Sequence, residues 1–200
     1  MTYESPYLMR RIVRGLRAAS LLLVLSGCRE EYRFYGIPVN PMVTAPVDGL
    51  VRDDGSTFSI GAQRGRASLV FFGYTNCPDV CPTTLADWKQ VKAALGGAAS
   101  KVNFIFVTID PATDTPEVVG QYIARFDSSF VGLSGSPAQI DAVSKAFGVS
   151  AFADGTLDSG HTAMAHPSRV YLVDTEGRVR YVYPPGLKPE EIAADVKHVF

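Results

Sequence analysis

Cysteine is scarce in this chain: three in 200 residues, at positions 28, 77 and 81, too few for a framework of structural disulfides. Neither sign of charge is in excess. Nineteen basic against 20 acidic residues give a formal net charge of −1, which leaves no basic field for a nucleic-acid backbone. No apolar run is long enough to cross a bilayer, since the run Ala18 to Leu25 is far short of the roughly 20 residues a spanning helix needs. Internal repeats and low-complexity tracts are absent as well. What remains is a chain that is 46% hydrophobic, ample for one real core with appendages.

The first appendage is N-terminal. Arg10, Arg11, Arg14 and Arg17 precede the short apolar run, which ends in Leu25-Ser26-Gly27-Cys28. A charged leader, a short hydrophobic segment and small residues at the end predict a signal peptide over residues 1–27. The tetrad also resembles the bacterial lipobox, so Cys28 is expected to become the lipidated first residue. Residues 28–45, charged, proline-containing and aperiodic, read as a tether, and residues 46–200 as the folded domain. The mature chain would carry 15 basic and 19 acidic residues. Such a surface offers lipid headgroups no basic patch, so the acyl chain must supply the membrane attachment. The domain is therefore expected to face the periplasm, anchored to the cell membrane as a lipoprotein.

Periodicity orders the rest. Asp53-Asp54-Gly55-Ser56 is a turn between short strand-like pieces, a hairpin expected to extend the main sheet. Ala67 to Gly73 is a continuous apolar run, the mark of a buried central strand. Leu85, Trp88, Val91 and Leu95 form one stripe of a helix over Thr83 to Leu95, and Val102 to Ile109 reads as a second central strand. Thr115-Pro116-Glu117 and Ser136-Pro137 open two further helices. Ser150 to Ala165 reads as a long polar loop, followed by a hairpin around Asp174-Thr175-Glu176-Gly177 and a last helix from Lys188. This order predicts an α/β, thioredoxin-like fold with an N-terminal β-hairpin and a helical insertion.

In that fold the reactive cysteines follow the first central strand, here in the stretch FFGYTNCPDVCPTTL from Phe71 to Leu85. Cys77 and Cys81, four apart, are expected to share one face of a helical turn, with the helix N-terminus favouring thiolate. A lone pair outside the cytoplasm can be a disulfide, a redox couple or a soft metal site. The loop packed opposite is Met164-Ala165-His166-Pro167, with His166 lying 89 residues beyond Cys77. Two sulfurs and an imidazole suit Cu(I), whereas zinc wants a fourth ligand. His161 competes for the imidazole role, Met164 offers a thioether, and Asp79 is placed to orient the ligands or meet a partner. Asp110 and Asp114 read as turn and cap residues.

Gly73-Tyr74-Thr75-Asn76-Cys77-Pro78-Asp79-Val80-Cys81-Pro82 resembles the signature of the Sco/SenC family, copper chaperones for cytochrome c oxidase assembly. Ile109-Asp110-Pro111 with Asp114-Thr115-Pro116-Glu117 is similar to that family's second block, and His166 with Tyr171-Leu172-Val173-Asp174 to its third. The resemblance implies Cys77, Cys81 and His166 as ligands of copper, as Cu(I) and in some states Cu(II). It implies delivery to the oxidase subunit that carries the dinuclear copper site, or reduction of that subunit's cysteines, with other periplasmic copper or thiol-redox proteins as further partners. Pro167 departs from the family's usual Ser or Thr. The competing function is a thiol–disulfide oxidoreductase using Cys77 and Cys81 alone. A peroxidase is disfavoured, because no proline stands at the required place before Cys77.

Overall fold

The computed structural model describes residues 31–200, so the expected signal peptide and Cys28 lie outside the described residues. Residues from Phe34 to Phe200 form one unit. Its spine is strand β4 (Ala67–Gly73), buried at every position, and β5 (Val102–Thr108), equally buried and parallel to it. Chains buried on both faces need no alternation, which is why both strands read as unbroken apolar runs. Between them runs helix α1 (Val80–Leu95), which buries Leu85, Trp88, Val91 and Leu95 as its stripe predicts.

Helix α2 (Pro116–Ala124) starts where the sequence places it, with Thr115 accepting the Val118 N–H at 3.3 Å. It leads to β6 (Val131–Leu133), parallel to β5. Helix α3 (Pro137–Ala146) opens on a reciprocal cap between Ser136 and Gln139 and stops at Gly148, whose φ is +67°. Strands β9 (Val170–Val173) and β10 (Arg178–Tyr183) form the expected hairpin, and helix α4 (Pro189–Lys197) closes the chain against α1. The Asp174 carboxylate, held below its ordinary range by the Arg178 and Arg180 donors in spite of burial, pins the hairpin turn.

Three expectations need correcting. The tether is in part a strand: β1 (Ile37–Thr44) pairs antiparallel with β10, giving a six-stranded sheet in the order β1-β10-β9-β4-β5-β6. Pro38 and Pro41 confine it to the edge, and its exposed side chains hide the strand from a burial pattern. The Tyr35 and Gly36 N–H groups donate to the buried Asp195 carboxylate at 3.0 and 2.9 Å, fixing the approach to β1. Second, β2 (Leu50–Val51) and β3 (Thr57–Phe58) do form a hairpin, but as a separate two-stranded sheet. Val51 meets Ser134 just past β6, so this hairpin covers the far edge of the main sheet instead of extending it. Third, the long loop is a surface hairpin of β7 (Phe152–Thr156) and β8 (Thr162–Ala165). With neither face buried, its sequence carries no alternation to read.

Candidate metal centre

The site is assembled where β4 ends. Gly73 hands the chain to a turn in which the Tyr74 carbonyl accepts the Cys77 N–H at 3.2 Å. Helix α1 begins three residues earlier than its stripe suggests, with Asp79 as cap residue and Cys81 in the first turn. Cys77 therefore stands before the helix, not on it, and its sulfur lies over the helix N-terminus, accepting the Cys81 N–H at 3.4 Å. Both cysteines are free thiols and both are buried, Cys77 to 8% exposure and Cys81 to 0%.

Their electrostatics differ sharply. The Cys77 thiol is pulled well below its ordinary range, first by a hydrogen bond from the Cys81 side chain and then by His166 and the Cys81 and Asp79 N–H groups, against the opposing effect of burial. Cys81 is pushed up by the same shared hydrogen bond and by burial. Within the pair, ionisation is favoured at Cys77 over Cys81.

His166 follows β8 and is half-buried, its ring edge-on to Phe71 and to Tyr74, each centroid 6.1 Å away. Its Nδ1 lies 3.3 Å from the Pro167 carbonyl oxygen. The structure thus brings His166 to the cysteine turn across 89 residues of chain, where it stands against the Phe71 and Tyr74 rings and helps to hold the Cys77 thiol down. Among the described residues, no three His, Cys, Asp or Glu side chains stand around a common point as a ready metal cage. Cys81 reaches the Cys77 sulfur through its N–H, and His166 stands beside them against the Tyr74 ring.

The other candidates separate cleanly. His161 is exposed near the tip of the β7–β8 hairpin, where its carbonyl accepts the Leu157 N–H. Met164 is packed against the core. The Asp79 side chain is exposed, and only its backbone N–H reaches the Cys77 sulfur. Asp110 keeps to a turn, its carbonyl accepting from Thr113 and Asp114.

Two residues to which the sequence assigns no role in the site stand at it. Asp114 is 0% exposed, and its carboxylate accepts the Thr75 N–H at 2.9 Å, the Thr75 hydroxyl and the Thr108 hydroxyl at 2.7 Å. Burial pushes this carboxyl up against the pull of those donors. It ties the cysteine turn to the end of β5. Tyr74, in that turn, meets the His166 ring edge-on. A carboxylate before Thr-Pro-Glu reads as a cap, and only the register of Gly73 beside Thr108 puts the cysteine turn within its reach.

The donor set fits a soft ion: two sulfurs, one of them easily ionised, and one imidazole. A family model described as SCO1/SenC matches residues 49–200. The chain is 34% identical over 149 residues to an SCO2-like protein of Rickettsia felis, covering 74% of this chain and 73% of that protein. It is similar to the copper-bound structure of Bradyrhizobium japonicum ScoI, with 38% identity and a TM-score of 0.70 over 82% of this chain and 99% of that one. A SCO1/SenC family lipoprotein of Bacillus anthracis matches at 25% identity and a TM-score of 0.69, over 84% of this chain and 99% of that one.

Proposed function

Because this chain belongs to the SCO1/SenC family, we propose that it is a metallochaperone that binds copper through Cys77, Cys81 and His166 and delivers it to the copper site of a cytochrome c oxidase subunit during assembly. The observation that carries the reading is the meeting of Cys77, Cys81 and His166 at one turn, the Cys81 N–H on the Cys77 sulfur and the His166 ring against Tyr74. Copper is cargo here, so it must be held firmly and given up. Two thiolates and an imidazole suit Cu(I) without filling a fourth position, which leaves room for a recipient's ligand. Cys81 must lose its proton for this, so binding releases protons and strengthens as pH rises. Similarity to a copper-bound ScoI supports the cargo, and similarity to a lipoprotein of the same family supports a lipid anchor, which the lipobox-like Leu25-Ser26-Gly27-Cys28 would place at Cys28.

The test is titration of the reduced, soluble domain with Cu(I) against a competing chelator. Cys77→Ser and His166→Ala should each weaken binding by at least about tenfold, since losing a ligand costs no less than losing the residue that orients one. Unchanged affinity in either variant would overturn the assignment of that residue.

A second reading rests on the same sulfurs. A charged Cys77 beside a buried, protonated Cys81 is an attacking thiolate with a resolving partner, the arrangement of a thiol–disulfide reductase. That activity needs no imidazole ligand, so His166→Ala should leave it largely intact, and a large loss would count against it.

A further inference from the structure

Among the described residues, eight large apolar side chains are strongly exposed, and five of them, Tyr35, Ile37, Met42, Val43 and Val47, fall in one short stretch. The other three lie singly along the chain, which is ordinary for a surface. The stretch from Ile37 to Val47 also carries no charge. The register of β1 gathers its side chains. Ile37 stands opposite Val182 and Val43 opposite Val179, so this length of β1 is drawn in along three steps of β10, about 10 Å of sheet edge. Such an edge does not template a strand from a second copy, because Pro38 and Pro41 have no N–H to give and the ladder slips between Pro38 and Val43. It offers apolar side chains in place of backbone.

The chain is fixed to the domain before β1 begins. The Phe34 ring stacks on Tyr181 with centroids 4.2 Å apart, and the Tyr35 and Gly36 N–H groups donate to the Asp195 carboxylate at 3.0 and 2.9 Å. Only residues 28–33 therefore separate Cys28 from the pinned chain. Six residues reach at most about 20 Å in any conformation, so a lipid on Cys28 keeps the start of β1 close to the bilayer. An uncharged apolar edge within that reach is matched to the phospholipid interface, where Tyr35 suits the headgroup level.

We propose that the edge strand β1 is a membrane-contact face: Ile37, Met42 and Val43 rest in the phospholipid interface and set the orientation of the domain, while the acyl anchor keeps it attached. This rests on the reading of Cys28 as the lipidated residue. Strand β4, whose end carries the cysteine turn, lies three strands from β1, about 14 Å, so the metal centre is carried at a fixed height above the bilayer.

The experiment places the mature, lipidated chain in nanodiscs of phosphatidylethanolamine and phosphatidylglycerol that contain a gadolinium-chelating lipid, and reads amide relaxation by NMR. The two edges of the sheet stand about 24 Å apart, so relaxation at Ile37, Met42 and Val43 should exceed that at Val131 and Leu133 of β6 by at least about tenfold. In the double variant Ile37→Ser with Met42→Ser that ratio should fall towards one. Both side chains are more than half exposed, so the variant should fold as wild type does, which an unchanged urea midpoint checks. A wild-type ratio near one overturns the proposal, and so does a ratio that the variant leaves unchanged, since the short tether would then set the orientation alone. Concentration-dependent self-association without lipid, lost in the variant, would assign the edge to a second copy and overturn it too. Should mass spectrometry find no lipid on Cys28, the anchor reading fails by itself, and flotation of the unlipidated domain with vesicles of the same two phospholipids decides on β1. Binding that falls about tenfold in the variant sustains the face, and no binding, or equal binding by both forms, overturns it.

Discussion

The Cys81 N–H donates to the Cys77 sulfur at 3.4 Å, so the first turn of α1 holds the thiol whose ionisation the site favours. This asymmetry separates two cysteines that look equivalent in the sequence. In the reduced chain Cys77 should be alkylated first, with a rate profile whose midpoint lies well below the ordinary thiol value of 9.0. Cys81, fully buried and protonated, should react only once the chain unfolds. Cys81→Ala should move the Cys77 midpoint upward by removing its strongest donor. Mass spectrometry of alkylated peptides against pH checks all three, and preferential labelling of Cys81 would count against them.

Asp114 is the support beneath the cysteine turn. Asp114→Ala strands the Thr75 N–H and two hydroxyls in a buried place, at a cost of about 3 kcal/mol in urea unfolding. Thr75→Val removes one donor and keeps the carboxylate's others, so it should cost about 1 kcal/mol. If both variants lose the same small amount, the carboxylate is not the hub of the network.

The sequence shows the parts of the fold that bury their side chains or cap their helices. Leu69 to Phe72 announce a central strand because water is excluded from both of its faces, and Thr115 and Ser136 announce helix starts through cap chemistry. Strand β1 is held by its ladder to β10 and by Asp195, neither of which leaves a periodic trace. The β7–β8 hairpin is silent for the same reason. The start of α1 was displaced because Pro82 fits a first helical position, while the helix in fact opens at Val80. The order of elements brings His166 to the loop opposite the cysteines, whereas the contacts of Asp114 and Tyr74 lie between elements, where spacing alone does not reveal them.

Acid should loosen one outer tie of the fold. Lys92 bonds the Asp127 carboxylate at 2.6 Å, linking α1 to the turn before β6. Partial burial raises this carboxyl, but the Lys92 and Ser129 donors outweigh it and bring the carboxyl from 3.8 down to about 2. A depressed folded value means that the contribution is complete above 3.8 and is lost as pH falls from 3.8 towards 2. The pair is partly exposed and screened, so its contribution is below about 1 kcal/mol. Asp127→Asn should lower stability slightly at neutral pH and flatten its decline across that acid window. A decline as steep as wild type would assign the acid sensitivity elsewhere.

Gly73 lies at the junction of β4 and the cysteine turn, and the reason is space. A Cβ there would stand 2.8 Å from the Cys81 sulfur and 2.9 Å from ring carbons of both Phe71 and Phe106. No rotamer relieves three such contacts at once, because the two rings are themselves buried in the aromatic core. Gly73→Ala should therefore cost about 1–3 kcal/mol of stability, the usual range for overpacking. The Cys81 sulfur is the nearest of the three neighbours and a single atom, not a packed ring, so it should yield first. Cu(I) affinity should then fall by more than in a distant variant of equal stability, such as Val131→Ala on β6. Equal affinities in the two variants would mean that the rings give way and the sulfur stays in place.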